Sequence, residues 1–281
     1  FNENTGKVEE GYGILQPRIS VSIPGANRSL FTRIFAGQGG MDPYTTAVSD
    51  IYQDIFDEGI FTGKGIYDVD VFAAALHDSI PDNTVLSHDL LEGCYLRAGL
   101  VSDIELVDGY PGSYGSYAAR LHRWVRGDWQ LIPWLCRHVR DRAGNKVRNN
   151  ISCLSKWKIL DNMRRSLLSP ALFALFIAGV MYLPGSVFVW TGFAAAVAAA
   201  PLLNGLLNSL LTGNFSFAES RTRTVMISGM KAAVYQSVLT FMFIPHQTCL
   251  MLDAVIRTIY RVVFSHRNML EWVTAADTEA R

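Results

Sequence analysis

The stretch Leu167–Leu183, LLSPALFALFIAGVMYL, is almost entirely apolar, and Pro184-Gly185 separates it from a second apolar run, Ser186–Leu203. From residue 166 to residue 218 the chain has no Asp, Glu, Lys, Arg or His. About 20 apolar residues span the hydrocarbon core of a bilayer, and each run is close to that length. The sequence therefore predicts a membrane protein with a transmembrane hairpin.

The charged flanks of this hairpin predict its orientation. Arg164 and Arg165 precede the two runs and Arg221 and Arg223 follow them, whereas the turn between the runs is uncharged. By the positive-inside rule both outer ends face the cytoplasm. Because residues 1–150 lead directly into this region, we expect them to be cytosolic.

Two more segments of residues 151–281 favour the membrane interface. Apolar residues recur about every three positions from Ile151 to Met163 and are opposed by Lys156, Lys158, Arg164 and Arg165, which is typical of an amphipathic helix in the headgroup plane. The last apolar run, Ala232–Leu252, is interrupted by Pro245-His246 and followed by further arginines. A single crossing would place those arginines on the far side, so we expect a broken, partly interfacial arrangement.

Residues 1–150 have the patterns of an α/β structure. Ile19, Val21 and Ile23 alternate with serines, as in a half-buried strand. A loop is marked by Gly59, Gly63 and Gly65. Helical patterns occur at Tyr44–Phe56, Val69–Leu76, Asp89–Ala98 and Tyr117–Leu135.

Charge and cysteine content exclude several functions. Lys plus Arg and Asp plus Glu are both 25, so the net charge is zero and gives no electrostatic case for a nucleic-acid partner. The four cysteines form no C-x-x-C pair, which fits a reducing compartment better than a zinc site or a disulfide framework. The chain begins at Phe1 without a signal peptide, so we expect a fragment of a longer protein.

Asp89 is the first candidate for chemistry. It follows Ser87-His88 at a predicted helix start, with Glu92 on the same helical face. Inverting glycosyl transfer needs one carboxylate to deprotonate the attacking hydroxyl while the nucleotide leaves from the opposite side. The alternative is a structural carboxylate stabilised by the helix dipole.

A second candidate group lies in Arg120–Trp129, RLHRWVRGDW. Arginine forks fit diphosphate oxygens, and an indole face can stack on a sugar ring. The residues proposed for donor-diphosphate and acceptor binding are Arg120, Arg123, Trp124 and Arg126. The alternative is a helix at the membrane interface, where Trp and Arg are also enriched.

Asp68-Val69-Asp70 has the form of a D-x-D clamp, in which two carboxylates hold Mg²⁺ or Mn²⁺ against a nucleotide diphosphate. The alternative is a helix N-terminal pair of carboxylates. The preceding Gly63-Lys64-Gly65 lacks the spacing of a P-loop. We therefore assign no metal ligand and keep Asp68 and Asp70 as candidates.

The order of these motifs resembles the processive family-2-like glycosyltransferases such as cellulose synthase, with Arg120 in place of the Gln of their Gln-x-x-Arg-Trp motif. Longer strings resemble the cyclic β-1,2-glucan synthases of Gram-negative bacteria. These strings are Gly11–Arg18 (GYGILQPR), Gly63–Asp70 (GKGIYDVD), Leu86–Gly93 (LSHDLLEG), His122–Trp129 (HRWVRGDW) and Leu270–Ala276 (LEWVTAA). Together they extend over nearly the whole chain.

The resemblance implies the C-terminal half of a GT-A-like glycosyltransferase domain over residues 1–150, followed by interfacial and transmembrane helices over residues 151–281. It implies inverting transfer of glucose from UDP-glucose to a growing β-1,2-glucan at the bacterial inner membrane. Asp89 is then the base, and Arg120, Arg123 and Trp124 bind diphosphate and acceptor. The implied partners are UDP-glucose, the glucan chain, membrane lipid and other domains of the same polypeptide.

The resemblance also places the ligands of Mg²⁺ or Mn²⁺, with the donor-binding half of the domain, upstream of Gly11 in a segment outside this chain. The fragment alone is then expected to be inactive, and Gly63, Lys64, Gly65 and Tyr67 form an acceptor-side loop. Two alternatives stay open. One is a non-processive membrane glycosyltransferase acting on a lipid, and the other is a non-enzymatic module that binds anionic lipid.

Overall fold

The computed structural model of the 281-residue chain describes residues 1–36, 50–212 and 229–271. The strands in this part are β1 (Ile14–Val21), β2 (Ile66–Tyr67), β3 (Ala98–Asp108), β4 (His138–Arg140) and β5 (Lys146–Arg148). The helices before residue 150 are α1 (Ile23–Ala26), α2 (Leu30–Phe35), α3 (Ile51–Phe56), α4 (Val69–Leu76), α5 (Asp89–Leu96), α6 (Tyr114–Gln130) and α7 (Ile132–Leu135). The later helices are α8 (Cys153–Ser166), α9 (Leu168–Met181), α10 (Val187–Ala198), α11 (Ala200–Thr212) and α12 (Gly229–Tyr260), which a π-helix, Arg261–Ser265, continues.

A three-stranded sheet in the order β2-β1-β3 forms the centre of the first 150 residues. β1 pairs antiparallel with β2 and parallel with β3, and the parallel register shifts between Pro17 and Arg18. The two parallel strands end together, because Val21 lies beside Asp108. In sheets of parallel strands, ligands commonly bind beyond the carboxyl ends, so this edge is a natural place for a site.

Most predicted helices of this part are present. α4 covers the predicted residues, and α5 begins at Asp89 as expected. The long aromatic helix is divided into α6 and α7, because Pro133 cannot donate a backbone hydrogen bond to continue the first helix. Of the predicted helix Tyr44–Phe56, residues 51–56 are helical and residues 44–49 lie outside the described part.

β3 is not among the predicted elements. Its second half carries a signal that could have revealed it, since Ile104 and Leu106 alternate with Asp103 and Glu105. Both apolar residues are exposed in the structure, at 49% and 41%, so the alternation marks strand geometry and not a buried face. The parallel pairing with β1 joins segments far apart in sequence, which local patterns do not report.

α6 lies very close to the segment that leads into α5. A Cβ atom placed on Gly127 would be 2.6 Å from Ser87 Cβ and 3.3 Å from the Ser87 backbone nitrogen. The Leu86 backbone N–H also donates to Gln130 Oε1 at 2.6 Å. These contacts hold the start of α5, and therefore Asp89, against α6.

We expect Gly127→Ala to lower the free energy of unfolding by about 1–3 kcal/mol, because the added methyl group overpacks this contact. The matched control is Gly115→Ala on the same helix, where the nearest atom to the new Cβ is Ser113 Oγ at 3.8 Å. Alanine favours helix over glycine by up to about 1 kcal/mol, so the control should be neutral or stabilising. The measurement is the thermal midpoint of the full-length protein in detergent. Equal midpoints for the two variants would contradict the close approach.

α8 forms where the amphipathic helix is predicted, but its faces differ from the prediction. Met163 is buried as expected, whereas Trp157 and Leu160 are 53% and 46% exposed. The outward face therefore combines these apolar side chains with the exposed Arg164. Apolar residues beside arginine on an exposed helix face are typical of a membrane interface.

The predicted place of Lys158 on the exposed polar face of the amphipathic helix is wrong. Its side chain is only 2% exposed, and Nζ donates to Glu58 Oε1 at 2.7 Å and to the Gly59 carbonyl oxygen at 2.9 Å. A lysine is rarely buried unless its charge is paired, and here the pair is complete. Lys158 therefore fastens α8 to the loop that leads to Gly63.

The apolar runs form helices on both sides of the predicted turn. α9 follows α8 across a 45° bend, and α10 begins after Pro184-Gly185, where Gly185 has φ +98. The 14 residues of α9 and the 12 of α10 measure about 21 Å and 18 Å, short of the roughly 30 Å hydrocarbon core. The two-helix transmembrane hairpin is therefore not confirmed, and α8 with α9 together form one bent candidate span.

Lys231–Ser265 is the single helix of the described residues that is long and apolar enough to cross a membrane by itself. It is continuous through Pro245, so the predicted break there is wrong. Its C-terminal half packs on α6 through Met251 and Val255, and its N-terminal half packs on α9 through Ile244. α12 therefore contacts both the α/β part and the apolar helices.

Candidate functional site

A cavity of about 260 Å³ lies beyond the carboxyl ends of β1 and β3. Its wall is built by the loop before β2, the start of α5, α6, and the helices α8 and α12. The charged and aromatic side chains that line it are Phe61, Lys64, Asp89, Asp108, Tyr117, Arg120, Trp124, Asp128 and Arg165. The structure thus brings the predicted base together with part of the predicted diphosphate and acceptor group.

The Asp89 carboxylate is packed directly against the Gly63 backbone. A Cβ atom on Gly63 would lie 2.7 Å from Asp89 Cγ and 2.8 Å from each carboxylate oxygen, and Gly63 has φ +88. Ser87 Oγ donates to Asp89 Oδ2 at 3.3 Å. The predicted acceptor-side loop and the predicted base are therefore in contact.

Burial raises the pKa of the Asp89 carboxyl, because desolvation disfavours its charged form. The charges of His88 and Arg123 and the Ser87 hydroxyl act in the opposite direction, and Glu92 adds to the increase. Arg123 is thus close enough to influence Asp89, although it is not among the cavity-lining residues. A carboxylate with a raised pKa is a better general base.

Arg120 and Trp124 form a pair on one face of α6. The Arg120 Cζ atom lies 4.7 Å from the centroid of the Trp124 ring, within the range of a cation–π contact. Arg120 Nε is buried, and no hydrogen-bond partner for it occurs in the described residues. A buried donor without a partner calls for an explanation, and an anionic ligand in the cavity would supply the acceptor.

Lys64 and Asp108 form an ion pair across the cavity wall. Asp108 is the last residue of β3, so the pair holds the acceptor-side loop against the end of the sheet. Lys64 was expected at the site, whereas Asp108 was missed because β3 is not predicted. Burial acts to raise the pKa of the Asp108 carboxyl, but the hydrogen bonds from Lys64 and the Gly109 backbone and the charges of Lys64 and Arg120 outweigh it, so this pKa is lowered.

Arg126 does not reach this cavity. Its guanidinium donates to the backbone oxygens of Glu271 at 2.7 Å and Met269 at 3.4 Å. On an α-helix, Arg126 lies about 120° around the axis from Arg120, so helical periodicity already separates the two. Arg126 instead holds the segment after α12, and the rest of the Leu270–Ala276 string, from Trp272, lies outside the described residues.

The D-x-D pair does not fit a metal clamp in this structure. Asp68 is the N-cap of α4, and its Oδ1 accepts from the backbone N–H groups of Asp70 and Val71 at 3.0 Å. Asp68 and Asp70 are exposed and lie away from the cavity wall. This is the geometry of the structural alternative, a capped helix start.

Tyr67 and Gly65 also lie outside the cavity wall. The Tyr67 ring packs on Phe72 with 4.7 Å between centroids. At Gly65 a Cβ atom would lie 2.2 Å from the Leu15 carbonyl oxygen, so glycine is needed for the approach of the loop to β1. These two residues therefore hold the acceptor-side loop in place through contacts outside the cavity, with Phe72 and with β1.

Three polar residues of the far wall were not predicted. Asn162 Nδ2 donates to Asp128 Oδ1 at 3.4 Å, and Arg165 donates to Asn162 Oδ1. This chain of contacts joins α6 to the end of α8. The contact depends on how two helices pack, for which the sequence has no local signal.

His88 and Glu92 lie next to Asp89 on the first turn of α5. His88 Nδ1 is 2.6 Å from Glu92 Oε1, and this contact raises the pKa of the His88 imidazole. One polar atom from each of His88, Asp89 and Glu92 lies within 4.8 Å of the others. Because His88 Nδ1 already bonds to Glu92, we assign no metal to this group.

No family model matches the chain. The chain is 43% identical over 282 aligned positions to the cyclic beta-(1,2)-glucan synthase NdvB of Rhizobium meliloti (strain 1021). The alignment covers 99% of this chain and about a tenth of the length of that protein. The resemblance to the cyclic β-1,2-glucan synthases is therefore confirmed along the whole chain.

Proposed function

We propose that this chain, homologous over 99% of its length to a segment of a cyclic β-1,2-glucan synthase, forms the acceptor side of a glycosyltransferase centre. The enzyme polymerises glucose from UDP-glucose into β-1,2-glucan with inversion. One observation supports this most strongly: the Asp89 carboxylate and the Arg120–Trp124 pair line the same cavity. A base and an anion-binding group facing one space are what glycosyl transfer from a nucleotide sugar requires.

In the proposed reaction the acceptor hydroxyl enters beside Gly63 and Asp89. Asp89 takes the hydroxyl proton while the acceptor oxygen forms a bond to C1 of the donor glucose. The bond between C1 and the diphosphate oxygen breaks on the opposite face, so the configuration at C1 is inverted. Asp89 then releases its proton to water before the next cycle.

The leaving diphosphate needs positive charge as its bond to C1 breaks. Arg120 supplies a buried donor, Nε, at the cavity, and Arg123 adds positive charge close to Asp89. The Trp124 indole, already against Arg120, offers an apolar face to a sugar ring. Donors held in place before the reaction stabilise developing charge without rearrangement.

We assign Mg²⁺ or Mn²⁺ and the uridine-binding residues to parts of the synthase outside this chain. The metal would neutralise diphosphate charge, but Asp68, which caps α4, and its neighbour Asp70 do not suit that role.

The proposal also gives residues 1–150 a GT-A-like fold on the cytosolic side of the inner membrane. The exposed apolar side chains of α8 to α12 support attachment to that membrane.

The test is incorporation of UDP-[14C]glucose by membranes that contain the full-length synthase, together with thermal protection by UDP. We expect label in a β-1,2-linked polymer and a raised thermal midpoint with UDP. Label only in a lipid-soluble product would favour the non-processive alternative. No label, with protection by acidic lipid alone, would favour the lipid-binding module.

Two arginines of α6 should give opposite results when each is replaced by glutamine. Arg120→Gln removes a charge that faces the cavity, and we expect about a 10²-fold loss of kcat/KM with weaker inhibition by UDP. Arg126→Gln removes donors to two backbone oxygens and should cost about 2 kcal/mol of stability. Thermal midpoints and UDP inhibition constants measure both effects. Weaker UDP binding in Arg126→Gln, with none in Arg120→Gln, would contradict the assignment.

A further inference from the structure

The His88–Glu92 pair takes no part in the reaction as described, yet it borders the base. The Glu92 side chain is 11% exposed, whereas the His88 side chain is 54% exposed. The pair is bonded through His88 Nδ1 and Glu92 Oε1 at 2.6 Å. Both partners have an atom within 4.8 Å of an Asp89 carboxylate oxygen.

We propose that His88 and Glu92 are positioning residues that form a charge-compensated pair, in which the His88 imidazolium cancels the repulsion that the buried Glu92 carboxylate would otherwise exert on Asp89, the base. This inference rests on the proposed function, in which Asp89 deprotonates the acceptor. Neither residue is among those that line the cavity, so their effect passes through Asp89. The pair also explains why a histidine directly precedes the carboxylate.

The physical basis is the balance of charge around a buried carboxylate. Burial makes the ionised form of Asp89 less favourable, and the Glu92 carboxylate adds repulsion. The neighbouring imidazolium offsets the repulsion from Glu92, and its bond to Glu92 raises the pKa of His88, so that His88 stays protonated to higher pH. Removing either partner alone leaves an uncompensated charge beside Asp89, whereas removing both leaves none.

Other charged groups also face Asp89 or its cavity. From α6 these are Arg120, Arg123 and Asp128; from the acceptor-side loop and β3 they are Lys64 and Asp108; from α8 it is Arg165. All of them stay in place in the variants used below. A change in the titration of Asp89 in those variants therefore reports on the pair alone.

The experiment measures kcat/KM against pH in the full-length synthase for the wild type, His88→Asn, Glu92→Gln and the double variant. Activity is lost as the pH falls through the pKa of the base, so the acid limb of the profile reports on Asp89. A unit charge at this distance shifts that limb by about one pH unit or more. His88→Asn should move the acid limb to higher pH, and Glu92→Gln should move it to lower pH. The acid limb of the double variant should lie near that of the wild type.

The control is His77→Asn, since His77 and Asp78 form a similar but exposed pair outside the cavity, with Nδ1 and Oδ1 2.8 Å apart. Its acid limb should coincide with that of the wild type. Limbs that do not move, or that move in the same direction in both single variants, would overturn the inference. If His88→Asn does not fold, the direction of the shift in Glu92→Gln decides.

Failure of the proposed function gives a different pattern. In that case the wild type has no UDP-glucose-dependent activity, or Asp89→Asn keeps it. If the present inference is wrong, the enzyme is active and depends on Asp89, but its acid limb does not move when His88 or Glu92 is replaced. The two results are distinguishable in the same set of profiles.

Discussion

Asp89→Asn should lower glucan synthesis by the full-length synthase by about 10²–10⁴-fold, the usual contribution of a positioned general base. The amide keeps the shape of the carboxyl group against Gly63 but cannot accept the hydroxyl proton. UDP-glucose binding should change little, because Arg120 and Trp124 are untouched. Incorporation of UDP-[14C]glucose and protection of the thermal midpoint by UDP measure the two effects separately.

The same substitution should not destabilise the protein at neutral pH. Burial raises the folded-state pKa of Asp89, so the stability that its protonated form contributes is present below the unfolded pKa and lost as the pH rises through the folded pKa. At neutral pH the ionised carboxylate is a cost, and asparagine removes it. We therefore expect an unchanged or higher thermal midpoint together with the loss of activity.

Asp54→Asn is the matched control for this prediction. Asp54 is also a carboxylate in the first turn of a helix, but it is exposed on α3 and lies outside the cavity wall. Its activity should equal that of the wild type. Appreciable turnover by Asp89→Asn would show that another carboxylate is the base, and loss of activity in Asp54→Asn would show that the assay is not specific.

The parts of the site that could be predicted from sequence are those whose chemistry is visible in the residue types. Asp89 at a helix start and the Arg120–Trp124 pair lie in short strings, and the structure brings them to one cavity. Arg126 belongs to the same string but faces the other way, because a helix rotates its side chains by a fixed angle. Helical spacing therefore indicates which candidate residues of one string can face the same cavity, and residue type alone does not.

The parts that could not be predicted depend on contacts between distant segments. Lys158 has the spacing of the polar face of an amphipathic helix, but it is buried against Glu58, which precedes it by 100 residues. Asp108 enters the site only because β3 pairs in parallel with β1. Pro245 favours a break, yet packing of α12 on α6 and α9 holds the helix continuous. In each case tertiary packing outweighs the local preference.

Gly63→Ala should lower activity by at least about 10²-fold, because it disturbs the base directly. The new methyl carbon would lie within 2.8 Å of all three atoms of the Asp89 carboxyl group, so the loop or Asp89 must move. Displacement of a reacting group by about 1 Å can cost 10²-fold in rate. The left-handed φ of +88 adds backbone strain of about 1–3 kcal/mol for a residue with a side chain.

Two effects are combined in that variant, and Gly144→Ala separates them. Gly144, in the turn between β4 and β5, has a similar φ of +84, but nothing lies within 4 Å of its added Cβ. It should lower the thermal midpoint through strain alone and leave kcat/KM of the folded enzyme unchanged. Gly63→Ala should show the same strain and, in addition, a loss of kcat/KM with a displaced acid limb, because the environment of Asp89 changes. If kcat/KM of folded Gly63→Ala matched that of Gly144→Ala, the loop would not be in contact with the base, and the acceptor side of the site would have to be sought elsewhere on the cavity wall.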